Sequence, residues 1–104
     1  MNRTRQVKEL ETIKQYVNTA LKIDISDGRR QRSYVYGRAL YFQLSKDFTT
    51  HSLSDIGSVV NKDHASVLHG LKIFKNFRAW DETYLLQLYH EIRLTLKSQF
   101  KFAN

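Results

Sequence analysis

Apolar residues fall at helical spacing along most of the chain. Val7, Leu10, Ile13, Val17 and Leu21 recur every three or four positions and predict a first helix of about five turns. The Asp27-Gly28 pair ends that region, and the run R-R-Q-R after it reads as an exposed loop. A second helix, capped by Ser33 and reaching Phe48, is expected to bury a broad face made by Val35, Ala39, Leu40, Phe42 and Leu44.

In S-L-S-D, Ser52 to Asp55, an acid follows a serine by three residues. This is a near match to the capping box, and it starts a short helix with Leu53, Ile56 and Val60 inward. Asn61 and Lys62 leave room only for a tight turn, because Asp63 is a good N-cap and Val67, Leu68, Leu71 and Phe74 restart a helical period. Trp80 and Asp81 have the form of a staple and cap for a last helix carrying Leu85, Leu88, Ile92 and Leu96. The absence of proline and the presence of only four glycines suit an all-α chain with short connections. The expectation is a compact domain of about five helices over residues 1–104, with a helix-turn-helix at about 52–77.

Charge sharpens this picture. Of the net +7, the segment 28–78 carries +6, from nine basic residues (Arg29, Arg30, Arg32, Arg38, Lys46, Lys62, Lys72, Lys75, Arg78) against Asp47, Asp55 and Asp63. A surplus confined to one segment is the footprint of a polyanion-binding face, because neutralising phosphates releases condensed counterions. A solvated basic surface without a partner is the plainer alternative. No cysteine is present, which excludes disulfides, thiolate metal sites and a cysteine nucleophile. No apolar run has the length of a signal peptide or membrane span, and a cytoplasmic location without membrane contact is expected.

The stretch K-D-H-A-S-V-L-H-G, Lys62 to Gly70, is the candidate for chemistry. Asp63, His64, Ala65 and Ser66 are small or polar and suited to face base edges, while the apolar positions begin only at Val67. Metal-binding histidines on one helix sit at i and i+4; His64 and His69 are five apart, about 140° around the axis, and do not readily share an ion. His69 fits either a structural or a phosphate-facing role. Ser52, Ser54, Ser58 and Ser66 lie in cap or helix contexts with no strand-to-helix elbow, and the glycines are too scattered for a phosphate loop. Neither an enzyme nor a cofactor is expected.

The run from Arg29 to Gly70, with S-L-S-D-I-G and then D-H-A-S-V-L-H in order, resembles the C-terminal DNA-binding domain of DnaA, the bacterial replication initiator. That signature is a serine-leucine-x-acid-isoleucine-glycine helix, a turn, and then D-H-T-T-V-L-H. The resemblance extends from about Leu10 to Lys97 and implies an all-α, Trp-repressor-like fold that binds double-stranded DNA at DnaA-box-like sites. It implies that Arg30 enters the minor groove from the basic loop, flanked by Arg29 and Arg32, and that Arg38 reads a guanine. It further implies base recognition by Asp63, His64 and Ala65, and backbone contact at or near Ser54, Lys62, Ser66 and His69; Lys46 is a further DNA-binding candidate.

Four departures stand out. The turn before Asp63 is one residue shorter than the family's glycine-glycine-basic turn, the loop before Arg29 is also shorter, Gly37 replaces a proline, and Ala65 replaces a threonine. The preferred base sequence is therefore open to drift. No ATPase module precedes the match, which leaves a free-standing module or a fragment as alternatives. A monomeric domain with replication proteins as further partners is expected. Two rival roles keep the same helices: a regulator that occupies initiator sites or represses transcription, and a helical adaptor that binds a replication protein through exposed Tyr34, Tyr36, Trp80 and Tyr84.

Overall fold

The computed structural model describes residues 3–99, with side chains from Lys8 onward, so the inward placement expected of Val7 lies outside the described side chains. Five helices follow one another: α1 Arg3–Leu21, α2 Arg32–Phe48, α3 Leu53–Ser58, α4 His64–Lys75 and α5 Thr83–Gln99. Among the described residues there is no strand.

In α1, Leu10, Ile13 and Val17 are fully buried, as the periodicity requires. The helix ends well before Asp27-Gly28. Lys22 turns into the left-handed region at φ 59°, Ile23 N–H donates to the Asn18 carbonyl, and the Asn18 side chain accepts from Ile25 N–H at 2.9 Å. A left-handed residue just past the last turn satisfies the orphan carbonyls there. Ile25, an apolar residue in an otherwise polar stretch, is fully buried and anchors the following loop.

α2 is the central helix, touching α1, α3, α4 and α5. Gly37 to Phe42 are buried without interruption, so it is enclosed on nearly all sides rather than on one stripe. Its cap differs from expectation. Gln31 is the N-cap in extended conformation and makes no side-chain cap bond, while Ser33 sits exposed inside the first turn. That end is solvated, and water can serve its free N–H groups. At the other face, Tyr41 Oη–H donates to the Ile56 carbonyl at 2.8 Å, which ties α2 to α3.

Ser52 caps α3 as expected, accepting from Asp55 N–H at 3.1 Å. The helix stops at Ser58, and the turn takes Val59 to Lys62 rather than two residues. Asn61 adopts φ 61°, a conformation asparagine tolerates better than most residues, and Lys62 N–H closes on the Gly57 carbonyl at 2.9 Å. Gly57 is needed because the chain folds directly over it. A β-carbon there would stand 2.6 Å from the Lys62 carbonyl oxygen and 3.0 Å from a Val67 methyl.

Asp63 caps α4, accepting from Ser66 N–H at 2.9 Å. Val67, Gly70 and Leu71 are buried and Phe74 half-buried, but Leu68, expected inward, is 45% exposed. The inward arc of α4 is centred on its close approach to α2 at Gly70, and residue 68 lies about 200° from residue 70 around the axis. Between α4 and α5 the chain also departs from expectation. Asp81 takes φ 59° and reverses the chain instead of capping, and Trp80 stacks on Tyr36 of α2, with ring centroids 6.1 Å apart. Leu85, Ile92 and Leu96 of α5 are buried and Leu88 half-buried. Phe77, Ala39 and Leu85 form a second small cluster beside the main core.

Two consequences can be measured. Replacing Gly57 with Ala forces the α3–α4 turn off a backbone carbonyl, so the urea midpoint should fall by an amount equivalent to about 1–3 kcal/mol. Tyr89 Oη–H donates to the Asp47 carboxylate, and burial followed by that carboxylate pushes its phenol from 10 up to about 12. Below pH 10 the phenol is neutral in both states; above it the unfolded chain ionises first. Stability should therefore decline as pH rises from 10 to about 12, and Tyr89→Phe should flatten that decline in alkaline denaturation.

Candidate nucleic-acid interface

The exposed start of α4, the turn before it and the loop between α1 and α2 meet around one cleft of about 630 Å³. Packing brings them together: α4 lies across α2, so the face of α2 bearing Val35, Arg38 and Phe42 becomes the cleft floor. Arg30 closes one side and Lys62, Asp63, Ala65, Ser66 and His69 form the other. Seven of the expected residues therefore line one concavity although Arg30 and His69 are far apart in sequence.

The others are distributed around it. His64 and Ser54 are exposed, each in the first turn of its helix. Arg29 is held back on the loop: its Nε pairs with the Asp27 carboxylate at 3.3 Å, and its guanidinium lies over the Tyr34 ring. Arg32 lies over the Tyr36 ring, whereas Arg30 makes no ion pair among the described residues. Lys46 is not brought to the cleft. It lines a separate hollow of about 290 Å³ with Gln43, Leu68, Leu71, Lys72 and Lys75.

Of the four aromatics expected to be exposed, only two are. Trp80 and Tyr84 are 48% and 62% exposed, while Tyr34 and Tyr36 are half-buried beneath Arg29 and Arg32.

The electrostatics of the α4 start follow from its cap. The Ser66 backbone N–H, donating to Asp63, holds that carboxyl below its ordinary range, so it is anionic at neutral pH and compensates the positive end of the helix. Next to it, Lys62 and Arg30 bring positive charge to the cleft. Arg38 is different in kind. It is only 7% exposed, burial works against its charge with Asp27 in support, and its guanidinium donates to carbonyls of the loop. Among the described residues no group of three or more His, Cys, Asp and Glu is placed to hold a metal ion, and no helix is long and apolar enough to cross a membrane.

Two residues of this region escaped sequence reasoning. Asn61 donates from Nδ2 to the Ser26 carbonyl at 3.4 Å and so links the helix-turn-helix to the loop; its only signal was an asparagine in a tight turn. Ile25 packs over Gly37, where a β-carbon would come within 2.9 Å of the Ile25 Cγ2 methyl, so the glycine that departs from the family's proline lets the loop lie close on α2.

Comparison with known proteins agrees with this arrangement. The profile of a family described as bacterial dnaA protein helix-turn-helix matches residues 10–73. The chain is 40% identical over 62 residues to the chromosomal replication initiator protein DnaA of Wolbachia sp. subsp. Brugia malayi (strain TRS), covering 59% of this chain and 14% of that protein. It is 37% identical over 71 residues to the protein of the same name from Bacteroides thetaiotaomicron, covering 67% of this chain and 15% of that one. The match thus spans about one-seventh of the length of these relatives. No solved structure matches. With the profile covering more than half of the chain, including α3, the turn and all but the end of α4, the chain belongs to the bacterial DnaA helix-turn-helix family, as a DnaA C-terminal domain.

Proposed function

We propose that this chain binds double-stranded DNA sequence-specifically, at sites resembling DnaA boxes, and acts in replication initiation or its control without catalysing a reaction. The observation that carries this reading is the single cleft joining the exposed N-terminal turn of α4 to the basic loop, because a duplex docked there meets both at once. In a helix-turn-helix the second helix enters the major groove by its N-terminal residues. His64 and Ala65, with Asp63 beside them, then face base edges, and the Ala65 methyl group suits a thymine methyl.

Contacts to phosphates position the domain rather than select sequence. Lys62, Ser66 and His69, which line the cleft, and Ser54, at the start of α3, take that role in this reading. Arg30, without an ion pair among the described residues, is the side chain for the adjacent minor groove, with Arg29 beside it on the loop and Arg32 at the start of α2. The relatives' printed name, chromosomal replication initiator protein, supports the process.

Selection of binding sites from random duplex DNA tests the reading directly: enrichment of a DnaA-box-like sequence is expected, and recovery of no sequence preference would overturn it. Two variants separate the roles. Lys62→Ala should weaken specific and random duplexes by the same factor and lower the log-log salt slope by about 1. His64→Ala should lose roughly 1–3 kcal/mol of discrimination within a few adjacent base pairs and leave random-duplex affinity nearly unchanged. Ala65→Thr, which keeps the methyl group, should be tolerated in the same binding assay.

A further inference from the structure

The α1–α2 loop is exposed from Asp27 to Gln31, yet its backbone is pinned from below. The Arg38 guanidinium, rising from α2, donates from Nη1 to the carbonyls of Ile25 at 3.2 Å and Asp27 at 2.8 Å, and from Nη2 to that of Arg29 at 2.9 Å. Three of its five donors are thus engaged, and the side chain is 7% exposed at the floor of the cleft. The Arg29 carbonyl belongs to the same peptide plane as the Arg30 N–H, so the last of these bonds sets the direction in which Arg30 leaves the loop. Asp27 works on both sides: its carbonyl accepts from Arg38, while its carboxylate accepts from Arg29 N–H and pairs with Arg29 Nε.

A second tie, from Asn61 Nδ2 to the Ser26 carbonyl, joins the same loop to the turn that precedes α4. Without these bonds the exposed part of the loop around Gly28, which follows the packed Ile23 and Ile25, would sample many directions.

We propose that Arg38 is a positioning residue, whose bonds to the Ile25, Asp27 and Arg29 carbonyls hold Arg30 in the register that lets it read the minor groove while α4 reads the major groove. This rests on the duplex-binding reading above and replaces direct guanine recognition as the main role of Arg38. A base edge seeking its two remaining donors has to reach the cleft floor, whereas the loop carbonyls are already in place.

The test uses duplexes carrying the selected site in which each A·T pair flanking the α4 contact is changed to G·C or to inosine·C. Inosine·C looks like A·T in the minor groove and like G·C in the major groove. Wild-type protein should lose about fivefold or more with G·C and retain affinity with inosine·C, the mark of minor-groove reading. Arg38→Ala should bring that ratio to within about twofold of one, while base preferences opposite His64 and Ala65 stay unchanged. In an Arg30→Ala background, Arg38→Ala should have almost no further effect, since a residue acting through another is silent once that other is gone.

Three results overturn the proposal: Arg38→Ala relaxing a single major-groove base pair with minor-groove discrimination intact, additive effects with Arg30→Ala, or equal losses at all sequences. If circular dichroism shows that Arg38→Ala has lost its helices, Arg38→Met, which keeps the buried stem but has no donor for the loop carbonyls, goes through the same assays with the same criteria. Failure of wild-type protein to prefer any site would instead sink the duplex-binding reading itself.

Discussion

The packing of α4 across α2 is the contact on which the other features depend. Val67, Gly70 and Leu71 turn inward there, against a helix that is itself buried from Gly37 to Phe42. That one orientation decides which residues of α4 leave the core. Asp63, Ala65, Ser66 and His69 emerge beside the cleft, and Arg38 and Phe42 of α2 become its floor. Rotating α4 by one residue, about 100°, would carry Val67 out and Leu68 in and destroy the concavity. A binding surface built on rigid, packed helices holds its geometry better than one built on loops alone.

The basic loop is then a loop only by secondary structure. Burying an arginine is costly unless its charge is compensated by hydrogen bonds. Here the Asp27 carboxylate favours the charge and the guanidinium donates to three backbone carbonyls, the groups that an irregular segment otherwise leaves unsatisfied. Charge and loop therefore stabilise one another, and the interaction converts a mobile type of segment into an extension of α2. Ile25, buried against Gly37, closes the base of the same segment by apolar contact.

The departures from the family pattern acquire physical reasons in this setting. A turn one residue shorter than a glycine-glycine-basic turn is feasible because Asn61 accepts the left-handed conformation while Lys62 N–H folds back to Gly57. The space for that fold is the missing β-carbon of Gly57. Gly37 in place of proline leaves room for Ile25 and so accompanies the shorter loop before Arg29.

Helix content, the order of the five helices, the caps at Ser52 and Asp63 and the basic character of the middle segment were legible in the sequence by itself. Each depends on neighbours within a few residues: periodic apolar positions, a cap serine or aspartate, and a local excess of lysine and arginine. What escaped it depended on contacts between distant segments. Leu68 fits the helical period but faces solvent, because only the crossing with α2 decides which arc of α4 is inside. Ser33 has the chemistry of a cap, yet Gln31 takes that position because the Arg38-pinned loop feeds α2 from there. Trp80 and Asp81 read as a staple and cap, yet Tyr36 across the fold captures the indole and Asp81 turns the chain. The family resemblance implied that Arg38 reads a guanine. Only the tertiary structure, by bringing three loop carbonyls within hydrogen-bonding distance of the guanidinium, showed what its donors hold.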